Sequence, residues 1–141
     1  MKRSRMLLLG KPKSLNTTHA KEKFGTNNMN WIKLNNATTL EEIKKTSFDK
    51  PVMLFKHSTT CSISATALNR LERSWKPEEM TGIDPYYLDL LNHRDISQTI
   101  AKTFDVVHES PQILLIKDGK CVHHNSHLGI NYQELKTKIP K

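Results

Sequence analysis

Residues 51–76, PVMLFKHSTTCSISATALNRLERSWK, constrain this chain more than any other part. An apolar run from Val52 to Phe55 is too short for a helix and reads as a buried strand. Ile63, Ala67, Leu68, Leu71 and Trp75 then recur at helical spacing. Between the two lies Ser58-Thr59-Thr60-Cys61, whose hydroxyls are placed to cap the helix. That puts Cys61 in the first helical turn, where unpaired N–H groups and the helix dipole favour an anion. A cysteine so placed is a nucleophile rather than packing.

The flanking sequence repeats the alternation. Asn30 to Leu34 is a strand candidate, and Thr38-Thr39-Leu40-Glu41 reads as a capping box for a helix to about Thr46. The Cys61 helix runs to Lys76 and stops at Pro77. Tyr86 to Leu91 is a third strand, and Asn92 with Asp95 opens a helix whose Ile96, Ile100 and Phe104 face inward. After Ser110-Pro111 come the strand Gln112 to Ile116, a turn at Asp118-Gly119, the strand Cys121 to Ser126, and a helix capped by Asn131. The order βαβαβαββα predicts an α/β fold with a mixed sheet and helices on both faces. A cysteine at the carboxyl end of a central strand stands where such sheets hold their chemistry.

Composition narrows the function. The chain has 141 residues and a net charge of +8. Residues 1–28 hold seven Lys/Arg against one Glu, so most of that charge lies there. Residues 29–141 hold 15 basic and 13 acidic side chains, nearly balanced, which argues against nucleic acid as a partner. Residues 1–28 are expected to be a disordered leader, or an over-extended start, ahead of a domain at 29–141. Met6 to Leu9 is too short an apolar run for a signal peptide, and no run approaches a membrane span, so a cytoplasmic location is expected. Two cysteines in a reducing compartment do not suggest a structural disulfide.

The element order, Cys61 at a helix start and Ser110-Pro111 before the hairpin resemble the thioredoxin fold. More narrowly, FKHSTTCSIS, the later HESPQ and Ser126-His127-Leu128-Gly129-Ile130 resemble the monothiol bacilliredoxins over roughly residues 30–139. That resemblance implies an enzyme, a thiol–disulfide oxidoreductase that takes bacillithiol off protein cysteines through an adduct on Cys61. It implies bacillithiol as co-substrate, no tightly bound cofactor, S-thiolated cytosolic proteins as partners, and a monomer. It also implies a cis Ser110-Pro111 bond whose backbone receives an extended substrate segment. The residues themselves support a one-cysteine mechanism: where dithiol relatives carry a resolving cysteine, this chain has Ser64.

Thr60, Ser62 and Ser64 are expected to stabilise the thiolate, and Lys56 and His57 to meet an anionic substrate. The bland alternative for the last two is solvation of a strand end. His108-Glu109 is either a structural pair or an indirect contributor. None of the seven histidines falls at a usual zinc spacing with cysteine. Cys121 lies about 20 Å along its hairpin from the active end, too far for a disulfide, which needs Cα atoms within about 7 Å. Two other readings remain open at this stage: an iron–sulfur carrier of the monothiol glutaredoxin type, and a non-catalytic binding module of the same fold.

Overall fold

A computed structural model describes residues 23–24, as backbone, and residues 29–139. The elements run β1 (Lys23–Phe24), β2 (Trp31–Lys33), α1 (Ala37–Thr46), β3 (Val52–His57), α2 (Ser62–Ser74), β4 (Asp84–Asp89), α3 (Arg94–Phe104), β5 (Gln112–Lys117), β6 (Lys120–Ser126) and α4 (Tyr132–Lys138). From β2 onward this is the expected order. The sheet order is β1-β2-β4-β3-β5-β6. β3 pairs in parallel with β4 and antiparallel with β5, so the sheet is mixed. The pairing of Lys23–Phe24 with Ile32 and Trp31 adds an edge strand within the segment expected to be disordered. The rest of the leader lies outside the described residues.

Alternation along β3 builds two cores. Met53 and Phe55 pack with Ala67 and Leu71 of α2, with Trp75 just after it, and with Tyr132 and Leu135 of α4. Val52 and Leu54 pack with Leu40 and Ile43 of α1 and with Ile96, Ile100 and Phe104 of α3. All six residues of β3 are buried, as a central strand covered on both faces must be. Burying a side chain such as Leu71 or Ile100 stabilises the fold by about 1.5–3 kcal/mol each, so cutting either to Ala would open a cavity beside β3. Among the described residues no helix is long and apolar enough to cross a membrane.

Two helix starts and one helix face differ from the sequence reading. α1 is capped by Asn36, whose Oδ1 accepts the Thr39 N–H at 2.8 Å, so Thr38 lies inside the helix. α3 starts after His93 without a side-chain cap. In α2 the inward face is Ser64, Ala67 and Leu71, and Ile63 is turned out, half-exposed. The hairpin turn is as expected: Asp118 and Gly119 have φ of 56° and 76°, the left-handed pair that a two-residue turn needs. Asn131 caps α4, taking the Glu134 N–H at 3.0 Å.

Candidate active site

Strand register gathers the predicted residues at one end of the sheet. Lys56 pairs with Gln112, and Gln112 pairs with Ser126. The carboxyl end of β3, the start of β5 and the end of β6 therefore coincide. Beyond β3 comes Cys61. Ahead of β5 lies the Ser110-Pro111 bond, which is cis. After β6 the chain makes a tight turn over His127–Gly129, whose His127 N–H donates to Pro111 O at 3.0 Å. Arg70 of α2 clamps that turn by donating to Ile130 O at 2.8 Å. The same register puts Cys121 beside Ile116 and Ile116 beside Val52, at the opposite end of β3. Burial pushes the Cys121 thiol up, against smaller opposing effects from backbone hydrogen bonds.

Cys61 is itself the N-cap of α2, in extended conformation (φ −105°, ψ 122°), one position ahead of the turn where the sequence placed it. The hydroxyls of Ser58, Thr59 and Thr60 do not cap this helix; no side chain does. An N-cap side chain normally supplies an oxygen to the N–H groups of the second and third helical residues. Here the residue in that position is a cysteine whose sulfur makes no such bond, so the N–H groups of Ser62, Ile63 and Ser64 have no partner within the helix. Of the three hydroxyl residues expected to stabilise the thiolate, Thr60 and Ser62 are exposed beside Cys61. Among the described residues no side-chain hydroxyl is bonded to Sγ.

Ser64 is committed elsewhere. It is fully buried, accepts the Ser58 N–H at 3.0 Å and lies 2.6 Å from His57 Nδ1. With one lone pair given to the Ser58 N–H, the hydroxyl either donates to Nδ1 or accepts from it, according to the imidazole tautomer. His57 sits on the α2 face beside the rings of Tyr87 at 5.6 Å and Phe55 at 6.3 Å. Burial lowers its pKa, and the nearby Asp89 carboxylate opposes that shift. The residue three after Cys61 therefore locks the strand–helix junction. A hydroxyl does this where a second thiol would serve exchange instead.

Lys56 departs furthest from expectation. It has no exposed surface and projects to the α1/α3 face, away from the face on which Cys61 opens α2. Its Nζ donates to Ser97 O at 3.4 Å and lies 3.3 Å from His108 Nδ1. Burial lowers its pKa to about 8. It neither solvates a strand end nor stands ready to touch a ligand at Cys61. The sequence signal was present, a lysine in the strand register of Val52 and Leu54, but the partners Ser97 and His108 lie far along the chain. Glu109 pairs with the Ser126 hydroxyl rather than with His108, tying the cis-proline loop to β6. Ser110 precedes the ladder that begins at Gln112, and its hydroxyl is buried without a partner among the described residues.

Comparison with known proteins places this geometry. The profile of BrxC, the monothiol bacilliredoxin family, matches residues 32–135, most of the chain. The chain belongs to the BrxC family of monothiol bacilliredoxins. A solved protein described as a candidate oxidoreductase with a thioredoxin fold is similar at 35% identity and a TM-score of 0.65, covering 75% of this chain and 90% of its own. Thioredoxin NaTrxh from Nicotiana alata matches at 19% identity and TM-score 0.62, covering 82% of this chain and 94% of its own. Malassezia sympodialis thioredoxin matches at 15% and 0.59, covering 82% and 90%. The last two establish the fold alone. Membership in the bacilliredoxin family makes this a thioredoxin-fold thiol oxidoreductase.

Proposed function

We propose that this bacilliredoxin removes bacillithiol from mixed disulfides on cytosolic proteins. The Cys61 thiolate attacks the sulfur of the small thiol and the protein thiolate leaves. Cys61 then carries the small thiol as a mixed disulfide. A second molecule of that thiol attacks the adduct, giving a symmetrical disulfide and freeing the Cys61 thiolate. No step needs a second protein cysteine, and rates follow thiolate fraction, nucleophilicity and access.

The observation that carries this reading is the pairing of Cys61 at the N-cap with a locked Ser64. The sulfur stands at a helix start whose first N–H groups have no side-chain cap, while the position that could resolve it internally holds a buried, hydrogen-bonded hydroxyl. Thr60 and Ser62 lie on the open side of that cap, and the Ser110-Pro111 backbone offers an edge to an extended substrate. Exposed Ile63 and Leu128 give this end of the molecule an apolar rim suited to a protein substrate. His57 acts through Ser64 by holding the junction. Bacillithiol as the carried thiol rests on the family alone.

The test is exchange with a bacillithiolated protein, read by intact mass. Cys61→Ser should abolish both adduct formation and release of the protein thiol, whereas Cys121→Ser keeps both. Equal damage from Cys121→Ser in a folded protein would sink the one-cysteine mechanism. Purification from the native host under disulfide stress reads the thiol's identity from the mass added to Cys61.

A further inference from the structure

On the α1/α3 face, a cavity of about 360 Å³ opens between α3 and the loop leading to Pro111. Its walls include Arg94, Ser97, Gln98, Lys102 and His108, and among the described residues no carboxylate lines it. Behind that wall the Lys56 ammonium contacts two of the lining residues, Ser97 through its carbonyl and His108 through Nδ1. Two acceptors leave one of its three N–H groups to spare. Next to it across the sheet, Gln112 is fully buried and its Oε1 has no partner among the described residues, while its Nε2 donates to Val107 O at 3.0 Å. The nearest carboxylate of the loop, Glu109, is taken by Ser126.

Lys56 and Arg94 both oppose protonation of His108, and Glu109 favours it, so the charges of this wall act on one another. A buried ammonium with no salt-bridge partner among the described residues is costly, and an anion in the adjoining cavity would relieve that cost. We propose that this cavity is a binding site for a small oxyanion, a carboxylate or a phosphate, held by Arg94 and His108 with Lys56 beneath. The spare amide oxygen of Gln112, buried behind the cavity wall, is an acceptor for a bridging water. The site does not depend on thiol exchange. Cys61 opens α2 on the opposite face, and the proposal concerns the reduced protein.

The test uses orthophosphate as probe at constant ionic strength, with chloride as control. Backbone amide shifts of Arg94, Ser97, Gln98 and His108 should move and saturate at millimolar phosphate but not in chloride. Lys56→Met and, independently, Arg94→Gln should each weaken binding about tenfold or more, the loss that goes with one charge-assisted hydrogen bond. Arg94 is exposed, so that variant carries the test if Lys56→Met fails to fold. Equal shifts in chloride, or phosphate binding untouched by the Arg94 change, would overturn the site. Acetate titrated in the same way separates a carboxylate from a phosphate, the tighter-binding probe naming the anion.

Discussion

Lys56 is a side chain whose environment can be read out directly. Folded, its pKa is about 8, against an ordinary value of 10.5. Between those limits the unfolded chain holds a proton that the folded chain does not, so stability must rise with pH across that window. Below about 8 both states are protonated and the slope disappears. Comparing denaturant midpoints of the native protein and Lys56→Met isolates this contribution from other groups that titrate there. The native protein should gain on the variant from pH 8 to pH 10.5, and parallel curves would mean that the ammonium is solvated. His57 behaves in the same sense at lower pH. Burial depresses it below its ordinary 6.5, so its share of stability is lost as acid forces protonation. Cys61 was legible from residues 51–76 because the strand and helix signals on either side of it are local. The bonds that engage Ser64 and Lys56 were not, since a hydroxyl or an ammonium shows its partner only once strands and helices have been packed.

At the scale of elements, the turn His127–Gly129 is the piece on which the site's third side depends. It puts a non-glycine residue, His127, at φ 53° and hangs its N–H on Pro111. Gly129 is required by space, not by backbone angle. A Cβ there would come within 2.9 Å of the Asn125 amide carbon and closer still to its oxygen. Asn125 cannot simply swing aside, because it bonds Glu134 at 2.9 Å and the Ser126 N–H at 2.9 Å. Gly129→Ala should cost about 1–3 kcal/mol, the range for a forced overpacking. Urea unfolding measures it, and a midpoint equal to the native one would mean the turn is loosely held. In the sequence Ser126–Ile130 stood out as a family motif, but no turn was read from it. The caps of α1, α2 and α3 were misjudged by a residue or more, because several hydroxyl and amide side chains compete for each helix start and only backbone geometry selects one.

For the whole molecule, the sequence order of strands and helices was enough to define the fold from β2 onward, since two-faced burial of β3 leaves few ways to cover it. The edge strand β1 was hidden: two residues amid polar sequence carry no period. A chain starting at Met29 loses that pairing and keeps both cores, whose members run from Met29 to Leu135. Its melting temperature should fall by about 5 °C, what the loss of roughly 1 kcal/mol of ladder does to a domain of this size. A collapse of the melting transition would show that the leader supports Trp31 from outside.

Placing the reactive sulfur at the N-cap ties turnover to mechanical state. As a thiolate, Cys61 sets a negative charge at the uncapped start of α2. As a mixed disulfide it is uncharged, so each loading removes that charge from the helix start and each release restores it. A charge so placed is worth about 0.3–1 kcal/mol. The loaded protein should therefore melt a few degrees below the reduced one, by about 4 °C for each kcal/mol. Calorimetry on the two forms measures the gap, and identical melting would detach the sulfur from the helix. Where the gap exists, the molecule leans toward giving its cargo up: relaxation of its own first turn drives discharge, and the enzyme behaves as a spring that every substrate must cock.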